Sequence, residues 1–244
     1  MRRANVLIVM LLAALMLSAC GKDSPTSADA PVASQPAQTE TTEIPAVAPR
    51  SAKDGCKAVA PAAAKADPDA TRSRRRLDPK RRNVAVVETN CGSFRILLDV
   101  KRAPKTTASF AGLVRNRYFD GLSFHRIAKP GGNDFVIQGG DPLGTGNGGP
   151  GYSVVEAPPK STTYDRGVVA MAKAADEKPG TSGSQFFIVT ADETQLPPEY
   201  ALLGRIPGDA AAVRRIAAVA ADPVTDMPVD PVVIDSIRLT QRKR

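Results

Sequence analysis

Two short runs rich in Val and Ile, residues 83–89 and 93–99, flank an Asn90-Cys91-Gly92 turn and predict a β-hairpin. The period then changes. Thr106, Phe110, Leu113 and Val114 fall at helical spacing across residues 102–117, and Pro104 stands where a helix tolerates a first-turn proline. Apolar runs return at residues 124–127 and 135–142, separated by Pro130-Gly131-Gly132-Asn133-Asp134, the pattern of two antiparallel strands joined by a loop. Residues 168–173 and 185–190 read as further strands around a loop at 176–183, residues 208–221 as a second helix, and 232–239 as a closing strand. Several short strands with two separated helices predict an antiparallel barrel or sandwich with helices at its ends.

Within the strand runs, Arg126 and Gln138 are polar interruptions. They are either solvated edge residues or two donors facing one shared surface. Alternation places Gln185 and Phe187 on one face and Phe186 on the other, without saying which ring is core. Met171 taken alone reads as core filler. Residues 144–149 satisfy G-x-G-x-x-G, but Pro150-Gly151-Tyr152 starts a loop where a dinucleotide fingerprint needs a helix, so a glycine-rich surface loop is expected. His125 is the only histidine, which leaves no metal-ligand cluster and no serine-hydrolase triad with its usual elbow. It reads as structural.

Composition divides the chain. Residues 22–82 are rich in Ala, Pro, Ser, Thr and charge, and all seven Phe and four Tyr lie at or after Phe94. Such a segment buries too little apolar surface to order itself. The expected domains are a signal segment at 1–19, a flexible Ala/Pro-rich and basic tether at 20–82, and a folded domain at 83–242. The first segment has Arg2 and Arg3 before an apolar run at 6–17, too short to cross a bilayer comfortably. Leu17-Ser18-Ala19-Cys20 resembles the lipobox of bacterial lipoproteins, which implies lipidation of Cys20 and anchoring on the extracytoplasmic side of the envelope. A plain signal peptide or an uncleaved anchor are the other readings. With Cys20 lipidated, Cys56 and Cys91 remain, and an exported pair is expected to be oxidised to a disulfide. The formal charge is +8, and most of the excess comes from Arg72, Arg74, Arg75, Arg76, Lys80, Arg81 and Arg82. Without interleaved aromatics this run argues against nucleic acid; it is either a solvated face or an auxiliary contact with anionic headgroups.

Phe124-His125-Arg126, then Phe135-Val136-Ile137-Gln138-Gly139-Gly140-Asp141, then Gly183-Ser184-Gln185-Phe186-Phe187-Ile188, in that order, resemble the cyclophilin-type peptidyl-prolyl isomerases. Met171-Ala172 and Gly204 fall in step, so the resemblance runs from about Asn83 to Leu239. It implies a mainly β fold, a closed eight-stranded antiparallel barrel capped by two helices, with the site on the barrel's outer face. It implies Arg126, Phe135 and Gln138 as the catalytic set, and Met171, Ala172, Gln185, Phe187 and Leu196 as substrate-binding positions. Gln195 and Tyr200 would lie on the pocket rim, where many members have Trp and His. The connection at 127–134 is longer than usual, which predicts a longer hairpin loop. No cofactor is implied. The expected substrate is a proline-containing polypeptide, the expected state a monomer, and the alternative role a binding module or chaperone without turnover.

Overall fold

In the computed structural model of this chain, residues 55–65 and 69–243 are described, so the expected signal segment, Cys20 and the tether up to residue 54 lie outside the described residues. The first hairpin forms as its β-branched runs predict. β1 (Arg81–Thr89) and β2 (Gly92–Leu98) pair antiparallel with Thr89 opposite Gly92, and Gly92 adopts φ 106°, a value that glycine takes readily. α1 (Pro104–Arg115) follows. It has no side-chain cap of its own; the Glu156 carboxylate accepts from the Lys105 and Thr106 backbone N–H groups at 3.0 and 2.8 Å and satisfies the helix start from a distance.

The chain continues through β3 (Ser123–Ala128), a 3-10 turn at Pro130–Gly132, β4 (Val136–Asp141), β5 (Val154–Val155) and β6 (Val168–Met171). Then come β7 (Thr181–Ser182), β8 (Phe186–Val189), β9 (Leu202–Arg205), α2 (Ala211–Ala218) and β10 (Ile234–Lys243). β5 and β7 pair only with each other, a small sheet inside a stretch read as loop. β9 was not predicted either. Its Gly204 allows the strand to approach β2, since a Cβ there would fall 2.2 Å from the Leu97 carbonyl.

Eight strands form one antiparallel sheet in the order β10-β1-β2-β9-β6-β8-β4-β3. The sheet curls but stays open, which corrects the expected closed barrel. Its edge strands do not pair along their length; they approach at a Ser123–Val233 bridge, beside which Ile234 N–H donates to Leu122 C=O at 2.7 Å and Gly121 N–H to Ile234 C=O at 2.8 Å. The physical reason is that the segment ahead of β10 takes β3's outer hydrogen bonds: Phe124 N–H donates to Val232 C=O at 2.9 Å and Ile127 N–H to Asp226 C=O at 2.8 Å.

Two apolar clusters lie on opposite faces of this sheet. The inner one holds Phe94, Phe110, Phe119, Phe124 and Phe186, with Phe186 meeting Phe110, Phe119 and Phe124 edge-on at 5.8 to 6.0 Å between ring centres. The outer one holds Val136, Tyr164, Ala170, Phe187 and Leu202.

The described part of the expected tether is not free. Cys56 and Cys91 form a disulfide with S–S 2.02 Å, Lys57 N–H donates to Asn90 C=O at 2.8 Å, and Lys65 and Ala70 N–H donate to Pro142 and Pro150 carbonyls. Leu77, buried, joins the inner cluster with Cys56 and Cys91. A sequence without periodicity is thus laid down as a strap by one covalent bond, one buried side chain and backbone bonds to loops. The basic residues from Arg72 onward are carried on it.

Candidate active site

Paired irregularities on β3 and β4 create the site's geometry. Phe124 faces Gly139 across the β3–β4 pair while Arg126 faces Gln138 and Ser123 faces Asp141, so His125 bulges from β3 and Gly140, at φ 87°, from β4, and the register on either side is the same. The bulge reverses the alternation. Phe124 therefore enters the inner core while Arg126, only two positions on, lies outside it. His125 is buried, and burial lowers its pKa, so the neutral ring is favoured. This agrees with a structural reading.

From Arg126 the register runs straight across the sheet. Arg126 pairs with Gln138, Gln138 with Phe187, Phe187 with Ala170, and Ala170 with Leu202, one row over β3, β4, β8, β6 and β9. Directly opposed residues share a face. A donor, an amide and an apolar floor consequently lie side by side. Phe135, Ala172, Leu196 and Tyr200 pack against this outer cluster while remaining partly exposed, and Phe187 meets Tyr200 edge-on at 5.3 Å.

The polar end of the row is a hydrogen-bonded chain. Gln185 donates to the Gly146 and Gly148 carbonyls at 2.9 and 2.8 Å, Gln138 donates to Gln185 Oε1 at 2.9 Å, and Arg126 Nη1 reaches Gln138 Oε1 at 3.5 Å, the long limit of such a bond. Both amide orientations are fixed by this chain. The glycine-rich loop also walls a cleft of about 500 Å³ with Ala172, Lys173 and Gln185.

The structure brings together Arg126, Phe135, Gln138, Ala172, Gln185, Phe187, Leu196 and Tyr200. It corrects Met171. Met171 pairs with Phe186 and is buried in the inner cluster, because the row facing outward on β6 is Ala170; Val136 supplies apolar surface on the outer side instead. Ala172 N–H donates to Gln185 C=O at 2.9 Å. Gln195 is exposed on the loop before Leu196. The longer 127–134 connection holds the 3-10 turn, and Lys129 lies 3.7 Å from Asp134 across it.

Three residues were not singled out from sequence. Tyr164 is fully buried beneath the rim; its hydroxyl donates to Tyr200 C=O at 2.7 Å and accepts from Tyr200 N–H at 3.0 Å, and burial raises its pKa to about 12, so it stays a donor. Lys173 has a side chain only 4% exposed and ties the Ala174 and Glu177 carbonyls to Glu199, 3.3 Å away. Asp226 binds Arg126, with Nη2 at 2.9 Å. An aromatic within a Pro- and Thr-rich loop was the one available sign for Tyr164; Lys173 and Asp226 carry none.

Outer-face placement of Arg, Gln and Phe on adjacent strands of a curled eight-stranded sheet defines an open surface groove with a cationic donor, an amide and an apolar floor. The family model for cyclophilin type peptidyl-prolyl cis-trans isomerases matches residues 84–239, and the chain belongs to that family. It is an isomerase of that type. Peptidyl-prolyl cis-trans isomerase A of Mycobacterium tuberculosis is 37% identical over 174 residues, covering 64% of this chain and 91% of that protein. Peptidyl-prolyl cis-trans isomerase B of Streptomyces anulatus is 36% identical over 176 residues, covering 65% and 97%. A cyclophilin type isomerase of Cryptosporidium parvum, solved in the presence of the dipeptide Ala-Pro, superposes with TM-score 0.58 at 32% identity over 65% of this chain and 99% of that one.

Proposed function

We propose that the Arg126 row is where this isomerase turns X-Pro bonds of polypeptide substrates. The barrier to rotation, ~18–20 kcal/mol, comes from amide resonance. As the C–N bond twists, the prolyl nitrogen regains its lone pair. Arg126 carries a permanent charge and rigid donors suited to stabilise it, and no covalent bond or proton transfer is needed. Phe187 and Val136, with Phe135, Leu196 and Tyr200 around them, grip the pyrrolidine ring. Gln138 and the Ala172 carbonyl hold the neighbouring amides of the substrate.

Uncatalysed exchange takes tens of seconds. Turnover near ~10³ per second therefore asks for roughly 6–7 kcal/mol, within reach of preorganised electrostatics. The observation that carries the reading is the register itself, which sets Arg126, Gln138 and Phe187 in one line. A protease-coupled proline-peptide assay on the purified chain tests it. Turnover that stays at the uncatalysed rate would refute the role.

We further propose that the protein acts outside the cytoplasm, as a monomer held to the envelope by lipid on Cys20, on exported polypeptides during their folding. The short apolar run before Cys20 and the Cys56–Cys91 disulfide support export, since such bonds persist in oxidising compartments. The row is complete within one chain, which supports a monomer. Cys20→Ala should release the protein from membranes or block its processing. Release of the wild-type protein by high salt alone would instead assign the tether to the basic strap.

A further inference from the structure

Arg126 is gripped on the side away from Gln138. Its Nε donates to Asp226 Oδ2 at 3.0 Å and its Nη2 lies 2.9 Å from the same oxygen, so one edge of the guanidinium is fully engaged. Nη1, 3.5 Å from Gln138 Oε1, is left directed along the row.

The carboxylate is itself held in place. Asp226 has φ 58°, a left-handed value uncommon for a residue with a side chain. Its N–H donates to Asp222 C=O at 2.9 Å and its C=O accepts from Ile127 N–H at 2.8 Å. Behind it, Asp222 Oδ1 accepts from the Val224 and Thr225 backbone N–H groups at 2.9 and 2.8 Å, and Asp222 N–H donates to Met227 C=O at 2.8 Å. A closed turn thus delivers one carboxylate to one arginine. Stability does not explain the expense in backbone conformation, because the pair is 39% and 30% exposed and such pairs contribute little. Unusual backbone held by surrounding bonds is a mark of function.

We propose that Asp226 is a positioning residue for the isomerisation: it locks the Arg126 side chain so that Nη1 meets the prolyl nitrogen as the bond twists. The proposal rests on the role given to Arg126. An unheld arginine would sample several rotamers, and each turnover would wait for the productive one.

The test is steady-state kinetics on the full chain with Asp226→Ala, Asp226→Asn, Arg126→Ala and the Arg126→Ala/Asp226→Ala double variant. Asn keeps an acceptor and tolerates left-handed backbone. Loss of positioning should lower kcat about 10-fold in Asp226→Ala with KM within about 2-fold, because the apolar floor is untouched. Asp226→Asn should recover most of that loss, and the double variant should be no slower than Arg126→Ala alone. The Arg126 Nε–H resonance should be protected from solvent exchange in the wild type and Asp226→Asn, and lost in Asp226→Ala. Wild-type kcat in Asp226→Ala, or a further drop in the double variant, would overturn the proposal while leaving Arg126 in its role. An active Arg126→Ala would remove that role and this proposal together.

Discussion

Phe186 and Phe187 are neighbours in sequence, identical in chemistry and both buried, yet they belong to different parts of the molecule. Phe186 meets three other rings edge-on in the inner cluster, with Met171 opposite it; Phe187 faces outward beside Gln138 and Ala170. Inside, contacts are apolar and the strap's Cys56 and Leu77 add to them. Outside, the apolar floor ends against a polar chain that leads from Arg126 to the glycine-rich loop. The contrast teaches that one strand packs the core with one face and, in the proposed role, meets substrate with the other, so stability and turnover should respond to different substitutions.

The largest effect expected is on the inner face. Phe186→Ala should cost about 3–5 kcal/mol of unfolding free energy, read by denaturant titration. Phe187→Ala should cost less stability but raise KM. Equal effects of the two variants on Tm and on KM would erase the distinction. Reducing the Cys56–Cys91 bond, which closes a loop of sequence separation 35, should remove up to ~4 kcal/mol by the chain-entropy argument. Since both sulfurs lie in the inner cluster, kcat/KM at low denaturant should hold, and a parallel loss of activity would show that the strap reaches the groove.

On the outer face, Arg126→Ala should reduce kcat/KM by ~10²-fold, equivalent to about 2.7 kcal/mol, with circular dichroism unchanged. Arg126→Lys should not rescue it, because an ammonium lacks the fork that engages Asp226 and Gln138 together. Turnover close to wild type in Arg126→Lys would mean that charge alone suffices. The smallest effect expected is from Gln185→Ala. It leaves Gln138 without its acceptor and should lower kcat/KM about 5-fold, near one hydrogen bond's net worth of ~1 kcal/mol. Unchanged kinetics there would confine the polar chain's role to Arg126 and Gln138.

Much of this arrangement was legible in the sequence because local rules act over short distances. The Val- and Ile-rich hairpin and the helix from Pro104 follow from strand propensity and helical spacing, and the cyclophilin resemblance named Arg126, Gln138 and Phe187. Other features depend on contacts far along the chain. The bulge at His125 has no composition of its own, and without it alternation would put Phe124 and Arg126 on one face. Met171 was placed in the pocket on resemblance, whereas its register opposite Phe186 turns it inward. The strap carries no periodicity; the Cys56–Cys91 bond, the burial of Leu77 and backbone bonds from Lys57, Lys65 and Ala70 to distant loops fix it. Asp226 lies 100 residues from Arg126, so nothing near either one announces the pair.

The segment ahead of β10 takes the hydrogen bonds of β3 through Val232 and Asp226. Unpaired strand edges invite other chains to add on. Covering this edge with its own loop closes it to extended segments as extra strands, so that under the proposed role a substrate peptide would meet the groove and not the edge.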